Sequence, residues 1–225
     1  MEKRSIALDG PAGAGKSTLA RMAAKRYSLM YVDTGALYRC IGLHALRSGV
    51  ASKDEAGVLS LLPDVSVELT YDGAGVQRMI LNGEDVNDSI RLPAVSGYAS
   101  DVSAMTPVRD FLLFMQQDMA VRYDVIMDGR DIGTVVLPGA GLKVFLTAEP
   151  EVRAERRYRE LSAANIPVTY DEVLRDMAVR DKNDSERAAA PLRPAEDSVI
   201  LDTTHLNLDE SFAALCGLIT ERFGI

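Results

Sequence analysis

Residues 10–18 read GPAGAGKST, and Gly10, Gly15, Lys16 and Ser17 fall on the spacing GxxxxGK[ST]. Glycines are needed there because backbone N–H groups can close around phosphate oxygens only where no side chain intrudes. The loop follows an apolar stretch, Ile6 to Leu8, and a lone acid, Asp9, and it precedes a segment of helix-forming composition, Lys16 to Tyr27. Strand, glycine loop and helix in that order make a cradle for a nucleoside triphosphate, with Gly10, Pro11, Ala12, Gly13, Ala14, Gly15, Lys16, Ser17 and Thr18 as its residues. Lys16 is expected at the β and γ phosphates, Ser17 is expected to hold Mg²⁺, and the helix N-terminus adds its partial positive charge.

The rest of the chain repeats this alternation. Short apolar runs at 29–32, 125–127, 142–146 and 199–201 suit buried parallel strands, and helical periodicity marks 34–47, 107–119, 150–164, 169–190 and 207–223. Ser52 with Glu55, and Thr169 with Glu172, have the spacing of capping boxes. Between 65 and 86 the texture changes to alternating residues, VSVELTY, a DGAG turn, a return run and an Asn82-Gly83 hairpin signal. The expectation is an α/β fold wound on both faces of a central parallel sheet, with ligands at the carboxyl edge and a small antiparallel meander inserted.

A formal charge of −8 argues against tracking a nucleic-acid polymer, which needs a basic face to displace counterions. Phosphate chemistry must therefore rest on local basic clusters. No apolar run exceeds five residues, so neither a membrane span nor a signal segment is expected, and the address expected is cytoplasmic. Cys40 and Cys216 read as buried free thiols, and His44 and His205 stand alone.

Three further segments bear on the fate of the terminal phosphate. DTGALYR, residues 33–39, puts Thr34 and Arg39 at a strand-to-helix junction, although Thr34 as a helix cap and Arg39 as a solvated residue fit equally well. DGRD, 128–131, brings two acids and an arginine out of a central strand; Asp128 is a candidate acid for Mg²⁺ through water, and a self-contained Asp–Arg pair is the alternative. RDKNDSER, 180–187, sets Arg180, Asp184 and Arg187 on one helical stripe, where solvated surface pairs worth about 0.3–0.5 kcal/mol are the bland reading. Arg153, Arg156 and Arg157 suit a mobile lid, with pairing to Glu149, Glu151, Glu155 and Glu160 left open.

Taken in order, IALDGPAGAGKST, YVDTGALYR, the meander, DGRDIGTVV, RDKNDSER with the following AAAPL, and VILDTT resemble bacterial cytidylate kinases, a family of P-loop nucleoside monophosphate kinases. The resemblance runs nearly the whole length. It implies a three-layer P-loop kinase domain over 1–225, with core 1–62 and 107–225, a monophosphate-binding lobe at about 63–106 and a lid at about 153–165. It implies transfer of the ATP γ-phosphate to CMP or dCMP by a cytoplasmic monomer. Thr34, Arg39, Arg130 and Arg187 would grip the acceptor phosphate, Ser100, Arg109 and Asp131 would read cytosine, and Arg180 and Asp184 would touch the sugar. Lys16, Arg130, Arg153, Arg157 and Arg180 would serve the transfer itself. Rival readings are a kinase for another phosphorylated acceptor such as UMP, and a nucleotide-dependent switch; against the switch, DKND at 181–184 has the wrong order for a guanine-reading NKxD.

Overall fold

The structure is a computed structural model that describes residues 3–225, so residues 1 and 2 of the expected domain lie outside it. Its chain divides into two compact units, one made of the chain up to Tyr31 with Met119–Ile225, the other of Val32–Asp118.

The first unit carries a five-stranded sheet in the order β2-β6-β1-β7-β8: β1 (Ser5–Asp9), β2 (Met30–Asp33, whose first two residues belong here), β6 (Val125–Gly129), β7 (Leu142–Thr147) and β8 (Val199–Asp202). The β1–β6, β1–β7 and β7–β8 pairs are parallel, with Ile6 opposite Ile126 and Leu142, and Asp9 opposite Gly129. Ile6, Leu8, Ile126 and Leu146 are wholly buried, as strands covered on both faces require. Helices α1 (Lys16–Tyr27) and α8 (Leu208–Phe223) supply Leu19, Ala23, Leu215 and Ile219 to the same core. Helices α6 (Pro150–Ala163) and α7 (Tyr170–Glu186) enclose a smaller cluster of Ala154, Val173 and Met177, with Ala12 of the glycine loop against it.

The second unit holds α2 (Thr34–Arg47), α3 (Glu55–Leu61), the antiparallel meander β3 (Val67–Tyr71), β4 (Gln77–Leu81) and β5 (Glu84–Asp85), α4 (Pro93–Val102) and the start of α5 (Thr106–Arg122). Val67, Met79 and Leu81 of the meander pack into one core with Leu37, Ile41, Val95, Val102, Val108 and Leu112. The expected lobe, 63–106, is thus one portion of a unit whose core it shares with α2 and α5.

Local differences have local causes. α4 is not among the expected elements, though Pro93 at its first turn and Val95, Ala99 and Val102 on its buried stripe are its signals. The cap of α3 is Asp54, which accepts from Gly57 N at 3.0 Å, while Ser52 is drawn off to Asp101 Oδ2 at 2.5 Å. The expected helix toward 190 ends at Glu186, because Pro191 disfavours helix before it and Arg187 turns extended, its Nε donating to Ala190 O at 2.8 Å. The boxes at Thr169/Glu172 and Asn207/Glu210 form fully. After β6 the chain makes one π-helical turn, Ile132–Val136, closed by Leu137 N donating to Ile132 O at 2.7 Å.

Candidate active site

In the first unit β1 delivers the chain to a loop that only glycine can follow. Gly10 has φ 150°, and a Cβ there would lie 2.0 Å from Leu146 O; Gly13 has φ 70°, and its Cβ would meet Arg153 O at 2.9 Å. Gly15, at φ 93°, then opens α1, whose first turn has no side-chain cap and no acidic residue. The uncapped N–H groups and the helix dipole leave that end suited to an anion. Lys16 is buried, and its Nζ bridges the loop to Pro11 O at 2.8 Å. Burial, reinforced by the nearby Arg130, holds its ammonium well below the usual lysine range despite Asp128 and Asp9.

Beside this end stands the carboxyl edge of β6. Ser17 Oγ donates to Asp128 Oδ2 at 2.7 Å, pairing a hydroxyl from the first turn of α1 with a buried carboxylate. Two hard oxygen groups so placed fit a cation such as Mg²⁺ that keeps most of its ligands as phosphate and water. Among the described residues no group of three His, Cys, Asp or Glu side chains makes a self-sufficient metal site.

Arg130 and Asp131 do not pair with each other. Arg130 Nε donates to Asp184 Oδ2 at 2.8 Å, and Asp131 Oδ1 accepts from Arg187 Nη2 at 3.1 Å, so DGRD and the end of α7 exchange ion pairs crosswise. The bland surface reading of RDKNDSER does not hold for these members, since Asp184, Asp131 and the Arg187 side chain are each about 5% exposed. At Asp184 burial is the largest influence and raises the pKa, but Arg130, Arg180 and Arg187 together outweigh it and hold the carboxylate below its usual range.

The α6 arginines differ in how far they turn inward. Arg153 is buried; its Nε donates to Ala148 O, and its Nη1 donates to Ala12 O at 2.9 Å and to Asp181 Oδ2 at 2.6 Å. Asp181 Oδ1 in turn accepts from Ala12 N at 3.3 Å. The Arg153–Asp181 pair therefore grips the backbone N–H and C=O of one glycine-loop residue, Ala12, so that Arg153 braces the loop rather than standing exposed. Arg156 reaches Thr203 Oγ1 and Thr203 O, at 3.0 and 2.7 Å, in the loop after β8. Arg157 and Arg159 make intrahelical pairs with Glu160 and Glu155.

Removing either member of the Arg153–Asp181 pair strands the other's charge, so the two losses overlap. In a double-mutant cycle of Arg153→Ala and Asp181→Ala read as kcat/KM for ATP, a coupling of about 1 kcal/mol or more is expected. Additive losses would show that the pair does not act through Ala12.

In the second unit Thr34 is the buried first residue of α2, whose cap Asp33 accepts from Ala36 N at 3.1 Å while its own N–H donates to Gln77 Oε1 at 2.8 Å. Arg39 is half-buried one turn on. The Arg109 guanidinium lies 5.5 Å over the Tyr38 ring and donates to Ser103 O at 3.2 Å, and Ser103 Oγ donates to Ser100 O at 2.8 Å. Ser100 and Arg109 are thus brought together through Ser103. Gln77, Tyr38, Ser103 and Asp181 were not singled out from sequence. Asp181 had a signal in the RDKND string itself, whereas the other three depend on contacts between elements.

The sequence pattern of the cytidylate kinase family matches residues 6–221. A cytidylate kinase of Caldicellulosiruptor saccharolyticus is 49% identical over 224 residues, covering 100% of this chain and 99% of the relative. Another, of Clostridium acetobutylicum, is 48% identical over 206 residues, 92% of this chain and 93% of the relative. Among solved structures, an uncharacterized protein from Eubacterium ventriosum matches with a TM-score of 0.56 at 11% identity, over 98% of this chain and 100% of its own, a likeness of fold alone.

Proposed function

The chain belongs to the cytidylate kinase family, and from that premise we propose how its residues carry the reaction. It is a nucleoside monophosphate kinase that transfers the γ-phosphate of ATP to CMP or dCMP, giving CDP or dCDP and ADP. The observation that carries the scheme is the meeting, within the first unit, of the glycine loop, the Ser17–Asp128 pair and the crossed Arg130–Asp184 and Asp131–Arg187 pairs.

A phosphomonoester's second pKa is about 6, so a nucleoside monophosphate brings its own ionised oxygen and needs no general base. The chain's task is alignment and charge neutralisation. Residues Gly10 to Thr18 hold the triphosphate, and Lys16, whose ammonium burial and Arg130 disfavour, finds its natural partner in the phosphate oxygens. Ser17, with Asp128 through water, would hold Mg²⁺, whose chemistry is to neutralise charge on the phosphate oxygens.

On the acceptor side the reading follows the resemblance: Thr34, Arg39, Arg130 and Arg187 for the phosphate, Ser100, Arg109 and Asp131 for the base, and Arg180 and Asp184 for the sugar. Arginine suits phosphate because its planar fork binds oxygens in pairs. Arg130, Arg157 and Arg180 are assigned to charge that develops during transfer, the last also near the sugar, and Arg153 acts through Ala12. The acceptor lobe at about 63–106, the lid at about 153–165, a monomeric state and a cytoplasmic location complete the proposal.

The test is a coupled assay of ADP release with ATP against CMP, dCMP, UMP and AMP, alongside a blank without acceptor. Fast release with CMP and dCMP and slow release in the blank is expected. Equal rates with and without acceptor would instead point to a nucleotide-hydrolysing switch.

A further inference from the structure

Asp9, the last residue of β1, is buried and has no part in the scheme above. Its two carboxylate oxygens each accept one backbone N–H, from Ile132 at 2.8 Å and from Gly133 at 2.7 Å. These N–H groups open the π-helical turn, and Asp131, the residue before it, supplies no side-chain cap. A carboxylate more than a hundred residues away in sequence therefore caps the turn.

The ladder between β1 and β6 ends at the pair Asp9 and Gly129, so Arg130 and Asp131 lie just beyond the last sheet hydrogen bonds. Their ion pairs tie the side chains sideways to the end of α7, so a direct backbone tie toward β1 and the glycine loop must come from elsewhere. The N–H groups of Ile132 and Gly133, the two residues that follow, supply that tie by donating to Asp9, the residue directly before Gly10. Gly133 permits the approach: a Cβ there would lie 3.3 Å from Asp9 Oδ2 on one side and 3.1 Å from Lys143 Cδ on the other. The arrangement is held against a cost, since burial, only partly offset by the two N–H bonds, pushes the Asp9 carboxyl up to about 6 with Asp131 adding to the rise and Lys16 opposing it.

We propose that Asp9 is a positioning residue for the acceptor: through the N–H groups of Ile132 and Gly133 it fixes where Arg130 and Asp131 stand relative to the phosphate-binding loop. The proposal rests on the reading of Arg130 and Asp131 as acceptor-side residues.

The experiment compares full-length wild type, Asp9→Asn, Gly133→Ala and Arg130→Ala in steady-state kinetics with ATP and CMP varied in turn. Asparagine keeps one acceptor oxygen but turns an NH₂ toward an N–H, and the alanine methyl presses on Asp9 Oδ2 beside the N–H that the same residue donates to it. Both changes reach the same joint by different routes. Asp9→Asn is expected to lower kcat/KM for CMP about 10- to 100-fold, the scale of an ångström-sized misplacement, and Gly133→Ala, which asks its neighbours to give by only a few tenths of an ångström, by a smaller factor of about 3- to 10-fold; in both the loss comes through a raised KM for CMP together with a lowered kcat, while KM for ATP stays within about twofold. A merely structural role would reduce the active fraction, lowering kcat and leaving both KM values alone. Parallel changes in the KM of ATP and CMP, or unaltered CMP kinetics in a folded variant of either kind, would overturn the proposal, and Gly133→Ala decides the matter where Asp9→Asn fails to fold. Arg130→Ala separates the two levels of inference. Normal CMP kinetics in that variant would sink the acceptor-side reading itself, whereas a defect there with none in the Asp9 and Gly133 variants would sink only the role of Asp9.

Discussion

Replacing Lys16 with alanine is expected to lower kcat by on the order of 10²–10³-fold or more, the scale of removing one preorganised charge-stabilising group, while leaving the fold intact. The second half of that expectation comes from the structure. Lys16 is buried, its ammonium is disfavoured by burial and by Arg130, and its Nζ is tied to the protein by the Pro11 carbonyl at 2.8 Å. A cation held in such surroundings adds little to stability, so the thermal midpoint of Lys16→Ala is expected to match or exceed that of wild type. Steady-state turnover with saturating ATP and CMP, read beside thermal unfolding, checks both. Near-normal turnover would contradict the assignment of the loop, and a large loss of stability would mean that the lysine is a core residue after all.

The second large effect concerns the choice of base. Asp131→Asn is expected to erode the preference for CMP over UMP, measured as the ratio of the two kcat/KM values. Cytosine presents an N4 amino donor where uracil has an acceptor oxygen, and a site built around one such hydrogen bond can discriminate by about 10⁴-fold. Arg187 donates to Asp131 Oδ1 at 3.1 Å, and a carboxylate has only acceptor oxygens to offer, which attract an amino group and repel a carbonyl. Asparagine can turn either an oxygen or an amino group toward the base, so it loses the means to refuse uracil. It also weakens the charge pairing of the Arg187 side chain, so total activity is expected to fall with both acceptors. The ratio is insulated from that general loss, and an unchanged ratio in a folded variant would remove Asp131 from base recognition.

Asp9 adds a pH dependence whose sign follows from its raised pKa of about 6 against an ordinary 3.8. Between those values the folded chain keeps a proton that the unfolded chain has released, so the contribution of this group to stability is greatest at low pH and declines as pH rises toward about 6. The shift corresponds to about 3 kcal/mol. The difference in unfolding free energy between wild type and Asp9→Asn is expected to change across pH 4–6 and to be flat above pH 7, in denaturant titrations at fixed temperature. A difference that is constant from pH 4 to 8 would contradict the shift.

The glycine loop was legible in the sequence because its geometry is dictated within nine residues: positive φ at Gly13 and Gly15, a strand before and a helix after. The Thr169/Glu172 box was legible for the same reason, since both partners lie within one turn. The competition at Ser52 was not, because its winner depends on Asp101, 49 residues away. The α6 arginines were ambiguous for a related cause. Four carboxylates lie within reach along the chain, and the sequence cannot tell that Arg153 turns inward to Ala12 and Asp181 while Arg157 stays with Glu160.

By itself, then, the amino-acid order determined the strand–loop–helix cradle, the alternation that makes a parallel sheet, and the set of charged residues available for phosphate chemistry, because each of these is set by backbone geometry or periodicity over short spans. Tertiary structure alone decided which charge meets which: Arg130 with Asp184, Asp131 with Arg187, Arg153 with Asp181, and Asp9 with two backbone N–H groups. Each of those partnerships joins elements distant in sequence, and its worth comes from burial that exists only once the sheet and helices have closed around it.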